Sequence, residues 1–298
     1  MKSVQFRSYG GPEVLEVVDA PEPVPGPGEI VIRVDAAGVN PIDTKIRLGY
    51  MKDVMPVDFP SGTGGDAAGR VEAVGEGVDD VQVGDLVFGS GRATYAERAI
   101  LTAWAPVPEG TARVEAAGWG GPVETAVRVL DQLGVEPGWT LFVSGASGGV
   151  GTAVVQIARA RGLTVIGSAS EANQQRLADL GATPLVYGDD LETRVAAVAP
   201  NGVDAALDVA GSGIIPELIT ITGDPARVLS IADFSAVEHG AQDSGGGTGH
   251  GPRAAFDEVL AIPGFALDVA ATFPLAEAGA AQDRVLEGHT PGKIVIVP

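Results

Sequence analysis

The sequence predicts an α/β protein: a doubly wound parallel sheet that follows a smaller β-rich region. Three observations carry this expectation. Residues 140–159 read as a buried strand, a glycine turn and a helix. From residue 123 onward, strand-like and helix-like segments alternate. Before that, short apolar runs are separated by glycine and proline turns, the pattern of a small barrel-like β domain.

In chain order, residues 14–18 and 29–34 read as strands on either side of the Pro21-x-Pro23-x-Pro25-x-Pro27 loop, and residues 70–74 and 85–88 as two more. Gly62, Gly64, Gly65, Gly75, Gly77 and Gly84 supply the turn signals. Residues 123–133 place apolar side chains at helical spacing, with Gly134 as the stop. The strand at 140–143 runs into Ala146-x-Gly148-x-x-Gly151, a GxGxxG dinucleotide fingerprint with alanine in its first place. Gly148 lets the backbone approach a pyrophosphate, and Gly151 lets helix and strand pack closely. The free N–H groups and positive dipole end of the helix then face the phosphates. A strand at 164–167, a helix at 171–180 ended by Gly181, a strand at 185–187, a helix at 191–198 and strands at 203–209 and 227–231 continue the alternation. The glycine run at 244–251 reads as a surface loop, with a lid as the alternative. A helix at 277–286 and a strand at 293–297 close the chain. That last strand has no place in the parallel sheet and is expected to return to the first region.

Composition narrows the partners. A formal net charge of −20 disfavours nucleic-acid backbones and anionic membrane surfaces. With no cysteine there are no disulfides and no thiolate metal sites. The start lacks the apolar core of a signal peptide, and no apolar run is long enough to span a bilayer, so a cytoplasmic protein is the expectation.

A set of motifs then carries a resemblance: Tyr9-Gly-Gly-Pro-Glu-Val-Leu15, Ala36-Ala-Gly-Val-Asn-Pro-Ile-Asp43, Gly64-Gly-Asp-Ala-Ala-Gly69 with Val74-Gly75, Val83-Gly-Asp-Leu-Val-Phe88, Gly145-Ala-Ser-Gly-Gly-Val-Gly151, Leu180-Gly-Ala182 and Gly292-Lys-Ile-Val295. In this order the chain resembles the medium-chain dehydrogenase/reductase superfamily, in its zinc-free, quinone-oxidoreductase-like, NADPH-dependent branch. The resemblance implies a GroES-like catalytic domain over residues 1–122 and 268–298, a Rossmann NAD(P)-binding domain over 123–267, and an active site in the cleft. It also implies a homodimer.

Zinc-dependent members carry a cysteine ligand near the position of Asn40 and a Gly-His-Glu where this chain has Gly64-Gly65-Asp66. A catalytic zinc needs about three protein ligands. His239, His250 and His289 form no ligand pattern and read as surface residues, so no metal and no zinc are expected. Without a Lewis acid, an acceptor that spreads negative charge through conjugation is favoured over a simple alcohol or ketone.

The cofactor expected is NADP (NADPH), with NADH as the alternative, and the phosphate-binding residues are Ala146, Ser147, Gly148, Gly149, Val150 and Gly151. An NAD enzyme usually places an acid at the end of the second strand; this chain has Gly167-Ser-Ala-Ser170 there. Ser168, Ser170 and Asn173 offer hydrogen bonds to a 2′-phosphate and Arg176 offers charge, while Ser170 also reads as a helix N-cap. The resemblance puts Tyr187 beside the adenosine, and Thr125, Ala210, Gly211, Ile231, Ala232 and Phe234 along the nicotinamide half. Asp208 reads as a loop cap. For the substrate pocket the candidates are Asn40, Asp43, Lys45 and Tyr50, with Asn40, Tyr50 and Lys45 as the catalytic residues; the resemblance lines the cleft with Asn40, which also reads as a turn residue before proline, and Lys45 also reads as a solvated lysine. Asp66 is expected to hold the adjoining glycine backbone rather than to do acid–base work. The combined reading is an oxidoreductase that passes hydride to a quinone or α,β-unsaturated carbonyl. A dinucleotide-binding sensor without turnover and a non-redox, cyclase-like enzyme are the alternatives.

Overall fold

The computed structural model describes residues 1–246, 251–288 and 290–298. His250, His289 and the middle of the 244–251 glycine run lie outside the described residues. The chain divides into two compact units: Met1–Gly121 with Pro252–Leu260 and Ala266–Pro298, and Pro122–Gly251 with Ala261–Phe265. In chain order the elements are β1 (Lys2–Phe6), β2 (Glu16–Asp19), β3 (Ile30–Val39), α1 (Pro41–Arg47), β4 (Ser61–Gly62), β5 (Asp66–Val74), β6 (Leu86–Arg92), β7 (Arg98–Pro106), α2 (Arg113–Ala116) and α3 (Gly120–Leu133). Then follow β8 (Thr140–Ser144), α4 (Gly149–Ala160), β9 (Thr164–Ala169), α5 (Gln174–Asp179), β10 (Thr183–Val186), α6 (Leu191–Val198), β11 (Ala205–Asp208), α7 (Ile215–Thr222), β12 (Val228–Ser230) and β13 (Gln242–Asp243). The chain ends with α8 (Pro252–Leu260), β14 (Val269–Pro274), α9 (Ala278–Leu286) and β15 (Lys293–Val297).

In the first unit β3, β5, β6 and β7 pair antiparallel in turn, and β7 pairs back onto β3 through Ile30↔Leu101 to Arg33↔Arg98, closing a barrel. The far half of β3 pairs instead with β15, through Ala37↔Ile296, Gly38↔Val295 and Val39↔Ile294. The last strand therefore returns to the first unit, as its apolar run requires: Ile294 and Ile296 join Ile30, Ile32, Val34, Val71 and Leu101 in one core. Helix α8 also belongs here, although it falls within the 123–267 range assigned from the sequence. Its Phe256 packs on Phe88 with ring centroids 5.1 Å apart, and its Arg253 guanidinium lies 4.3 Å over the Trp104 ring.

The second unit is a six-stranded sheet in the order β10-β9-β8-β11-β12-β13, with every neighbouring pair parallel. Its core is Phe142, Ile166, Leu185, Ala206, Leu218 and Val228, among others. The chain winds one way from β8 through β9 to β10 and the other way from β11 to β13. The switch point is therefore the carboxyl end of β8, where open α/β sheets bind ligands. Among the described residues no helix is long and apolar enough to cross a membrane.

Candidate functional site

The first element of the site is the turn after β8. Gly145 turns with φ +74°, and Gly148 is the extended N-cap of α4. No side chain caps this helix; its first bond runs from Thr152 N–H to the Gly148 carbonyl at 2.8 Å. The N–H groups of Gly149, Val150 and Gly151 thus open the helix without helical partners, at the positive end of its dipole. A Cβ at residue 151 would stand 2.2 Å from the Gly145 carbonyl oxygen, so the close crossing of turn and helix requires glycine. A Cβ at 148 would meet only that oxygen, at 3.6 Å, so the backbone there is open to a ligand. Ser147, Gly148, Gly149 and Val150 are partly exposed, while Ala146 is buried and donates its N–H to the Ser168 carbonyl at 3.0 Å. Free donors, a helix dipole and open backbone fit a pyrophosphate.

Around this turn the strand ends carry the other expected residues. Ser168 is 3% exposed inside β9, so its side chain is covered. The Ser170 hydroxyl oxygen accepts from Asn173 Nδ2 at 3.0 Å just beyond β9. The Gln174 amide donates to the carbonyls of Ala169, Ser170 and Leu185, tying the ends of β9 and β10 together. Arg176 is half-buried on α5, and the exposed Tyr187 follows β10 on a loop whose Val186 and Gly188 carbonyls accept from Arg194. Asp208 is indeed a loop cap: its carboxylate accepts from Ala210 N at 3.2 Å, Gly211 N at 3.1 Å and Ser230 Oγ at 2.8 Å. Ser230 Oγ in turn accepts from Ala232 N and Asp233 N, so one buried pair shapes both loops. Ala210 and Gly211 are exposed there, Ile231 and Ala232 partly so, and Phe234 projects into solvent. Thr125 is half-buried on α3, its hydroxyl 3.4 Å from Glu124 Oε2.

The first unit holds a buried polar cluster. Asn40 caps α1, and its N–H donates to Asp43 Oδ2 at 2.8 Å. The same oxygen accepts from Tyr95 Oη at 2.8 Å. Asn40 Nδ2 donates to Asp66 Oδ2 at 2.6 Å, and Asn40 Oδ1 accepts from Lys293 Nζ at 2.6 Å. Asp66 also accepts from Gly121 N at 2.7 Å and Ser90 Oγ at 3.1 Å. It therefore holds glycine backbone, but that of Gly121, the second residue of α3 and 55 positions away, rather than that of the adjoining glycines. Burial pushes the Asp43 carboxyl up to about 7. Burial also raises Asp66, against the pull of Lys293, and lowers Lys293, against the pull of Asp66 and Asp43. Tyr95 is raised by burial first and by the adjoining Asp43 next. Of the residues expected near the substrate, the structure joins Asn40 to Asp43. Lys45 is half-buried on α1, and Tyr50 stands outside the cluster, 75% exposed.

This cluster does not fit a zinc ion. Its side chains are two carboxylates that already accept hydrogen bonds, three at Asp66 and two at Asp43, with one amide, two hydroxyls and one ammonium, where zinc takes about three ligands from cysteine, histidine and carboxylates. Among the described residues no group of three or more His, Cys, Asp or Glu could hold a metal. Lys293, Tyr95, Ser90 and Ser230 were not anticipated as members of these networks. For Lys293 a signal existed: it is the one charge in the run Lys-Ile-Val-Ile-Val, whose first four residues are buried. A lysine is almost never fully buried unless paired.

The chain matches a family model described as alcohol dehydrogenase GroES-like domain over residues 26–130, and one described as zinc-binding dehydrogenase over residues 149–237. A quinone oxidoreductase of Rattus norvegicus is 32% identical over 258 residues, covering 82% of this chain and 77% of its own. A quinone oxidoreductase of Pseudomonas aeruginosa is 31% identical, covering 100% of this chain and 99% of its own. Among solved structures, a mycobacterial protein complexed with NADPH aligns with a TM-score of 0.81 at 29% identity, covering 100% of both chains.

Proposed function

Since the chain belongs to the medium-chain dehydrogenase/reductase superfamily, with quinone oxidoreductases among its relatives, we propose that it is an NADPH-dependent oxidoreductase acting on a quinone or an α,β-unsaturated carbonyl without zinc. The observation that carries this reading is the uncapped glycine turn at the switch point of the parallel sheet. Bound NADPH supplies a hydride from C4 of its nicotinamide. The N–H groups of Gly149, Val150 and Gly151 bind the pyrophosphate, with Ala146, Ser147 and Gly148 giving it room. Ser170 and Asn173 hydrogen-bond the 2′-phosphate and Arg176 adds charge; Ser168, covered and paired on both sides within the sheet, holds the strand end rather than the phosphate. Tyr187 stands beside the adenosine. Thr125, Ala210, Gly211, Ile231, Ala232 and Phe234 border the nicotinamide half, with the last five on loops that Asp208 and Ser230 hold in shape. Asn40 keeps one amide N–H uncommitted, and Tyr50 has a free-standing hydroxyl; either can donate to an acceptor carbonyl. A conjugated acceptor spreads its developing charge, so such donors suffice where an isolated ketone would need a Lewis acid.

The test is NADPH oxidation followed by absorbance against a panel of quinones, enones, simple ketones and alcohols. Turnover confined to the conjugated compounds supports the reading. Saturable NADPH binding with no turnover points to a sensor, and substrate conversion without cofactor consumption points to a non-redox enzyme. Equal rates on simple ketones would remove the argument from conjugation.

A further inference from the structure

Lys293 is 4% exposed at the head of β15. Its Nζ donates to the Val39 carbonyl at 2.9 Å and to Asn40 Oδ1 at 2.6 Å. The other end of that carboxamide donates to Asp66 Oδ2 at 2.6 Å. The oxygen and nitrogen of an amide have nearly the same shape, so the partners decide which way round it lies. An ammonium can only donate and a carboxylate can only accept. Turning the Asn40 amide over would set its oxygen against the carboxylate and its NH2 against the ammonium. Its orientation is therefore specified from both ends, and one N–H is left over.

The backbone makes room for this arrangement. A Cβ at Gly118 would lie 2.9 Å from Lys293 Cγ, and one at Gly120 would lie 2.5 Å from Asp66 Oδ1. Gly292, with φ +112°, turns the chain so that the Lys293 N–H reaches the Asp268 carbonyl at 2.7 Å; a Cβ there would stand 2.4 Å from that oxygen. A surface lysine folded in by chance needs none of this.

We propose that Lys293 is the resident cation of this site: a positioning residue whose ammonium, in place of a metal ion, balances Asp66 and holds the Asn40 carboxamide in the one orientation that leaves its spare N–H for a ligand carbonyl. The ligand part rests on the oxidoreductase reading; the positioning part does not.

The chain has three asparagines, Asn40, Asn173 and Asn201, so labelling with 15N-asparagine leaves three side-chain amide pairs to observe by NMR. The Asn40 pair, assigned as the one missing in Asn40→Ala, is expected to be widely split in the wild type. It should collapse toward the spacing of a free amide in Lys293→Met while the backbone amide spectrum stays folded. Lys293→Arg, which keeps a cationic donor, should restore part of the splitting. If Lys293→Met does not fold, the double variant Lys293→Met/Asp66→Asn removes both charges and keeps an acceptor for Asn40 Nδ2; the same collapse is expected there. An Asn40 pair unchanged in either folded variant overturns the proposal, as does zinc bound at one per chain in freshly purified protein. With a quinone acceptor, Lys293→Met should lower kcat by about tenfold or more while the KM for NADPH moves less than about twofold, since backbone groups hold the phosphates. An intact NMR signature in a wild type that turns over no conjugated carbonyl would sink the oxidoreductase reading and leave the positioning role standing.

Discussion

In the second unit the turn proposed to bind phosphate is made almost wholly of main chain. Its donors are the N–H groups of Gly149, Val150 and Gly151, and side chains enter mostly by being absent, as at Gly148 and Gly151. In the first unit the polar cluster is made of side chains drawn from three strands, the first turn of α1 with its cap, and the β6–β7 connection: Asn40, Asp43, Asp66, Ser90, Tyr95 and Lys293. The first kind of site tolerates most substitutions and fails where atoms are added. The second fails where one member is removed, because the partners left behind are buried and uncompensated.

The largest effect expected, and the most direct way to break this comparison, is Asp66→Leu. It leaves the Asn40 Nδ2 and Gly121 N–H donors without their acceptor and the buried Lys293 ammonium without its counter-charge, and should cost about 3–5 kcal/mol in urea denaturation. A loss below about 1 kcal/mol would mean the cluster is not an electrostatic unit. Next comes pH. Burial lifts the Asp43 carboxyl to about 7 from 3.8, so the folded state keeps a proton that the unfolded chain has released. Stability should therefore fall as pH rises between those values and level off above about 7, by an amount on the order of 4 kcal/mol in all. Asp66, raised by the same burial, adds to that slope. Asp43→Asn, which still accepts from Tyr95 and from Asn40 N–H, should remove most of it in denaturation curves taken across the range.

Gly148→Val sharpens the other half of the comparison. The backbone there is extended, and a new Cβ meets only the Gly145 carbonyl at 3.6 Å, so the fold should tolerate the change. The added methyls fill the space open to phosphate, and dinucleotide affinity should drop about 100-fold, roughly 2.7 kcal/mol, in a fluorescence titration. The smallest effect belongs to Tyr50→Ala. With the side chain 75% exposed, stability should stay within about 0.5 kcal/mol. A changed KM for the quinone with an unchanged KM for NADPH would identify Tyr50 as a substrate contact.

The same contrast explains what could be read from the sequence. The fingerprint lies within seven consecutive residues, and its geometry follows from local rules, so the turn, α4 and the flanking strands were legible. β15 was legible from its apolar run, and its return to the first unit from the lack of a place in the parallel sheet. β7 and β14 were not, since Arg-Ala-Ile-Leu-Thr-Ala-Trp-Ala-Pro carries few β-branched residues and β14 is half-exposed along its length. Helix α8 was not read from the sequence, and its segment fell in the range given to the second domain because sequence neighbourhood says nothing of the Phe88 and Trp104 surfaces that receive it. The polar cluster escaped for the same reason: Asn40 finds Asp66 26 positions away and Lys293 253 positions away, and no local pattern encodes such meetings.

β3 divides its length between β7 and β15, which ties residues 37–39 to residues 294–296, more than 250 positions further on. During synthesis on the ribosome, Asp43 and Asp66 are made long before the ammonium that balances them. Until residue 293 emerges, both carboxylates remain hydrated and the seam along the far half of β3 stays unzipped. The intervening sheet can therefore form on its own schedule, with native burial of these acids deferred until β15 is available to pair.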